Sequence, residues 1–213
     1  MSDSGKHVPK GGMGSQQPTV LKKIIFKGPR SLDFPLKNLK DEGPMTSSCS
    51  LCDRFADPNS SLTVYRSPKI VLDHMPGIDL PGYLVIAPLR HVEHAGILED
   101  SEREELARLQ SLAVQTILGL PGVGKVYILS FGEAVPHLHL HLFPRTDAML
   151  LAPGCLTDGI PEGPKIFQFW RKKLAVPGVP DGVRSLIPQL KDAFLKSVPF
   201  IPSSPSAPRE PPR

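Results

Sequence analysis

An α+β fold, built as an antiparallel sheet carrying one main amphipathic helix, is what three observations predict. Short apolar runs separated by turn residues occupy 62–87, an apolar period of three to four residues runs from Ser101 to Leu118, and extended character returns through 125–130 and 136–145. The strand candidates are Leu62-Thr63-Val64-Tyr65, Ile70-Val71-Leu72 and Tyr83-Leu84-Val85-Ile86-Ala87, a meander divided by proline, glycine and aspartate. The helix places Leu106, Leu109, Ala113, Thr116 and Ile117 on one face. Ser101 and Glu104 are spaced as a capping box, and Gly119 and Pro121 close the end. Lys125-Val126-Tyr127-Ile128-Leu129-Ser130 is the next strand, followed by a turn at Gly132 and a strand through Pro136–Arg145. Two short C-terminal helices are expected, one over Ile166–Arg171 started by Pro164 and one from Pro188 to Lys196.

Composition bounds the organisation. At 213 residues, 40% hydrophobic and 22% charged, the chain can bury one globular core. Its 25 prolines, more than twice ordinary usage, gather towards the ends, so the folded part is expected to be shorter than the chain. We divide it into an N-terminal segment 1–45, a core domain 46–146, a helical extension 147–198 and a proline-rich tail 199–213. Residues 1–20 are polar and aperiodic, hence expected to be disordered, and 21–45 carry scattered apolar positions (Leu21, Ile24, Phe26, Phe34, Leu36) that can lay an arm across the domain. No internal repeat is visible. A net charge of +4 and a pI near 9.0 suit anionic small molecules, and they are too mild and dispersed to predict nucleic-acid binding. No apolar run approaches a membrane span and the start lacks the apolar core of a signal peptide, so a cytoplasmic protein is expected.

The chemistry concentrates in Pro136-His137-Leu138-His139-Leu140-His141-Leu142-Phe143-Pro144-Arg145. In an extended chain the three imidazoles share one face and the three leucines the other. Rings taken from water need hydrogen-bond partners, which makes this alternation hard to explain as packing. Two uses fit. A neutral imidazole whose far nitrogen is hydrogen-bonded can attack a phosphorus, or three imidazoles can chelate one ion in a metal-dependent enzyme. Cys49-x-x-Cys52 is compatible with half a tetrahedral metal site, with two small buried apolar side chains, or with a redox pair. Cys155 has no partner in sequence.

The pattern Gly132-x-x-Val135-x-His137-x-His139-x-His141-x-x-Pro144-Arg145 resembles the signature of the histidine triad superfamily of nucleotide hydrolases and transferases. Gly82 through His91 resembles the family's glycine-to-histidine strand, and Asp73-x-x-Pro76 its ribose-binding turn, so the resemblance covers residues 49 to about 146. It implies cleavage at an α-phosphate, of phosphoanhydride or phosphoramidate bonds and with dinucleoside polyphosphates among the candidate substrates. His139 would form the covalent nucleotidyl intermediate, its other ring nitrogen oriented by a main-chain carbonyl of the same strand. His141 would contact phosphate oxygens or the leaving group, where a donor acts on charge that develops in the transition state. Asp73 would accept from ribose hydroxyls, backbone N–H groups around Gly132, Glu133 and Val135 would meet phosphate, and Arg145 would add positive charge. The resemblance also implies a structural Zn2+ on Cys49, Cys52, His91 and His137, with His94 the substitute for His91, no cofactor in the chemistry itself, and a homodimer.

Two positions depart from the family pattern. Where many members have Gln followed by Ser or Thr, this chain has Glu133 and Ala134. Loss of a side-chain donor beside the leaving group costs on the order of 2–4 kcal/mol of transition-state stabilisation if nothing replaces it. These two residues keep a third reading open, a nucleotide-binding protein without catalysis. Tyr83 stands where many relatives carry His.

Overall fold

The computed structural model describes residues 49–198; the expected N-terminal segment and proline-rich tail lie outside the described residues. Five strands form an antiparallel sheet in the order β1 (Thr63–Arg66), β2 (Ile70–His74), β3 (Leu84–Pro88), β5 (Leu140–Thr146), β4 (Val123–Leu129). The first three make the expected meander, and β5 then inserts between β3 and β4. Both β2 and β3 are buried on both faces, which explains why they read as unbroken apolar runs rather than alternating ones.

One face carries Ile70, Leu72, Leu84, Ile86 and Leu142 and is covered by α2 (Asp100–Leu118) and α4 (Asp181–Ser197). The opposite face carries Val71 and Ala87 under α1 (Ser50–Phe55), and Tyr83 and Phe143 under Phe167 of α3 (Gly163–Lys173). Because Val85 pairs with Asp73 on one side and His141 on the other, these three residues share that second face, away from α2. Gly82, with φ of 82°, turns the chain into β3, and a Cβ there would collide with Leu120 Cδ1.

Several expectations change. The histidine segment is not one continuous strand: β5 begins at Leu140, and His137 and His139 precede it. Beyond the Ile86–Leu140 pair the ladder between β3 and β5 ends, and the incoming chain is held instead by Leu138 N–H donating to Val92 O at 2.6 Å. The capping box is Glu99 with Glu102, not Ser101 with Glu104. Glu102 takes this role because its buried carboxylate also receives a two-point bond from Arg90, at 3.0 and 2.7 Å, which lashes the end of β3 to the start of α2. The second C-terminal helix starts at Asp181 and runs through Pro188. An internal proline costs about 3 kcal/mol, offset here by burial of Val183, Ile187, Leu190 and Phe194. A small hairpin, β6 (Leu156–Thr157) with β7 (Ile160–Pro161), was not expected, although Asp158-Gly159, with φ of 50° and 76°, is a strong signal for its turn.

The Arg90 pair holds the Glu102 carboxyl below its usual range. Glu102→Ala should therefore lower unfolding free energy by about 2–4 kcal/mol through loss of the cap and the paired arginine bonds. Urea unfolding at neutral pH measures this; a change under 0.5 kcal/mol would show the Arg90 link to be dispensable.

Candidate active site and cysteine–histidine cluster

The three histidines divide between two sites. His137 is wholly buried. Its Nε2–H donates to Pro88 O at 2.9 Å, which leaves Nδ1 with its lone pair directed at Cys49 Sγ (3.5 Å) and Cys52 Sγ (3.4 Å). His91 Nδ1 lies 3.5 Å from Cys52 Sγ, and all four ligand atoms fall within 4.8 Å of one another. Tetrahedral bonds of about 2.3 Å to sulfur and 2.0–2.1 Å to nitrogen give sulfur–nitrogen edges of about 3.5 Å, so the arrangement fits a four-ligand N2S2 site. Burial and the neighbouring Cys49 push the Cys52 thiol up to about 11, so two thiolates here call for a cation between them. His94 is exposed and outside the group. Drawing His137 towards the sulfurs removes it from any three-imidazole chelate.

His139 and His141 remain together, ring centroids 4.9 Å apart, in a cavity of about 490 Å³. His139 Nδ1–H donates to the main-chain carbonyl of His137 at 2.6 Å, so its Nε2 carries the lone pair. The family resemblance implies a main-chain carbonyl in this role, although on the same strand, and His137 precedes β5. His141 is 6% exposed, and its Nδ1 is 3.1 Å from Tyr83 Oη. Burial, reinforced by His139 and Arg171, lowers the imidazole to about 4, so at neutral pH it is uncharged. A neutral ring accepting from the Tyr83 hydroxyl at Nδ1 presents Nε2–H as a donor. Burial also raises Tyr83 to about 12, which keeps that hydroxyl protonated.

Gly132, Glu133, Ala134 and Val135 line the cavity as a loop between β4 and the histidine segment, with Gly132 at φ of 73°. Asp73 is 1% exposed and is not among the lining residues. Arg54 of α1 lies over it, 3.0 Å from its Oδ2, and donates to His74 O at 2.7 Å while lining the cavity itself. The contact is close but poorly aligned, and both Asp73 oxygens lack a well-directed donor. Arg145 does not line the cavity; its guanidinium pairs with Asp147 at the far end of β5. Sequence reasoning missed Arg54, Phe131, Phe167 and Arg171, all lining residues. Phe167 and Arg171 stand four apart on α3, so the charged end of the predicted helix Ile166–Arg171 was visible, but its direction was not.

Fold and site together define an α+β protein with a paired-imidazole cavity on one sheet face and a separate Cys2His2 cluster beside it. No family model and no curated protein matches the chain. Solved structures similar to it include histidine triad proteins. One is a hypothetical histidine triad nucleotide-binding protein from Sulfolobus tokodaii (16% identity, 70% of this chain and 93% of that one, TM-score 0.49). Another is a zinc-bound histidine triad family protein from Mycobacterium smegmatis (17%, 70% and 95%, TM-score 0.47). A third is the diadenosine triphosphate hydrolase of Plasmodium falciparum in complex with Cyclomarin A (14%, 65% and 79%, TM-score 0.44). Among the described residues no helix is long and apolar enough to cross a membrane.

The depressed histidines make stability depend on acid. Between about pH 6.5 and 4 the unfolded chain binds a proton at His141 that the folded chain does not, so stability falls as pH is lowered through that window, by up to about 3 kcal/mol. Buried His74 is lowered in the same direction. Urea unfolding at pH 7 and pH 4.5 should show a smaller acid loss in His141→Asn than in wild type; equal losses would refute the buried neutral ring.

Proposed function

We propose that the protein is a nucleotide hydrolase or transferase of the histidine triad type, acting at an α-phosphate through a nucleotidyl-His139 intermediate. The observation that carries this reading is the His139 Nδ1 bond to the His137 carbonyl, which fixes the tautomer that a nitrogen nucleophile needs. His139 Nε2 attacks the α-phosphorus, the bond from phosphorus to the leaving oxygen or nitrogen breaks, and the electron pair departs with the leaving group, which when it is an amine leaves carrying a proton taken up from solvent. His141, neutral at pH 7, contributes a hydrogen bond from Nε2–H to the oxygen or nitrogen on which charge develops, and Tyr83 holds it in that role. Water or a second phosphate then attacks the same phosphorus, the bond from phosphorus to His139 Nε2 breaks with its electron pair returning to the ring, and water's proton passes to solvent as the nucleotide is released. Backbone groups at Gly132, Glu133 and Val135 line the phosphate path.

Asp73 enters this reading as the ribose acceptor, its two oxygens lacking a well-directed donor although Arg54 stays paired over it. Arg145, committed to Asp147, is left out of it. A structural Zn2+ on Cys49, Cys52, His91 and His137 belongs to the same proposal. These four residues would hold the ion, whose chemistry there would be cross-linking of α1 and the segment after β3 to the histidine segment rather than catalysis. A homodimer, which the family resemblance implies, and a cytoplasmic location complete the proposal.

A panel of dinucleoside polyphosphates, nucleoside phosphoramidates and nucleotide sugars, with wild type against His139→Asn, tests the reaction. Wild type should turn over at least one class and yield an acid-labile nucleotidyl adduct on quenching, and His139→Asn should lose roughly 10³-fold or more in kcat. Turnover insensitive to that change would sink the assignment. Elemental analysis should find one zinc per chain, and Cys52→Ser should lose it and lower Tm by several degrees; full stability without metal would remove zinc from the proposal.

A further inference from the structure

Arg171 comes from α3, beyond the segment that carries the histidine motif, and lines the cavity that holds His139 and His141, where its charge acts on the His141 ring. One helical turn before it, the Phe167 ring centroid is 6.2 Å from that of His141. The guanidinium stands close enough to Tyr83, the residue that holds His141, for its charge to act on that hydroxyl. Among the described residues no carboxylate lies within ion-pair distance of Arg171. The other arginine of the cavity wall, Arg54, is matched by Asp73. Glu133, the remaining charged lining residue, would oppose a polyanion. The cavity therefore offers one cation without an acidic partner, on the side of His141, next to a Phe131–Phe167 stack with centroids 5.9 Å apart whose Phe131 ring is 59% exposed.

We propose that Arg171 binds the phosphate chain of the departing group, so that the site selects substrates whose leaving group carries further phosphate over those whose leaving group is an uncharged amine. This rests on the reading of His139 as nucleophile and His141 as the leaving-side donor. A planar guanidinium can take two oxygens of one phosphate, and its charge grows more useful as the leaving phosphate gains negative charge. It also supplies what Glu133 and Ala134 do not, a donor near the breaking bond. Arg171 completes the site from the C-terminal extension, so the extension takes part in substrate choice.

The test uses the full chain as wild type, Arg171→Gln and Arg171→Lys, with diadenosine tetraphosphate and an adenosine phosphoramidate bearing a small alkylamine. The ratio of kcat/KM for the tetraphosphate to that for the phosphoramidate should fall about 10–100-fold in Arg171→Gln and recover in part in Arg171→Lys. A residue that merely props Tyr83 would lower both substrates alike, and an unchanged ratio overturns the proposal. Calorimetric binding separates it from the reaction it rests on: Arg171→Gln should weaken diadenosine tetraphosphate at least about tenfold relative to AMP. Wild-type binding with that selective loss but no turnover refutes the nucleophile reading and keeps Arg171 as the phosphate contact. Equal losses for both ligands, or no binding by wild type, refute Arg171.

Discussion

The seam between β3 and the chain entering β5 is the constraint on which the rest depends. Within ten residues it supplies the Val85–His141 and Ile86–Leu140 pairs, the Leu138 bond to Val92 and the His137 bond to Pro88. The period of two inside a strand puts His141 on the face opposite α2, so the apolar core and the polar site are assigned to different sides of one sheet. A slip of one residue would exchange Leu142 for His141 in the core and lose both. The fully apolar packing under α2 and α4 is what makes that slip costly.

The site face solves a different problem, that of keeping polar groups useful inside a protein. His141 is stripped of water but keeps a partner in Tyr83, and Tyr83 is itself buried and keeps its proton. Each group is thereby held in the neutral state in which it can donate or accept at a fixed point. Aromatic edges from Phe143 and Phe167 surround the pair and limit solvent access to it. Arg54 and Arg171 arrive from helices that precede and follow the five sheet strands in sequence, so the charged part of the cavity is assembled from segments far from the histidines in sequence.

That assembly explains what could be read in advance. His139 and His141 were legible because alternation along an extended chain is a local property, whereas the grouping of Cys49 and Cys52 with His91 and His137 came from the family resemblance, since the cysteine spacing alone names no partners. The meander and α2 were legible for the same local reasons. Arg54 and Arg171 were not, since a charged residue on a short helix carries no mark of what it faces until the helix is docked. Asp73 and Arg145 show the converse: their positions match a motif, but their side chains answer first to Arg54 and Asp147. The start of β5 and the run of α4 through Pro188 were set by neighbours, Val92 in one case and the α2–β1 surface in the other, against purely local rules.

His137 has two allegiances. Its ring belongs to the cysteine cluster, while its carbonyl fixes the ring of His139 two residues on. Perturbations of the sulfur cluster and of the reactive imidazole therefore converge on one peptide unit, and substitutions at Cys52 and at Tyr83 or His141 act on the same ring pair from opposite ends. In a double-mutant cycle such positions behave non-additively although no side chain of one group touches the other. For evolution the result is a shared tolerance: drift in the cluster is limited by chemistry it does not perform.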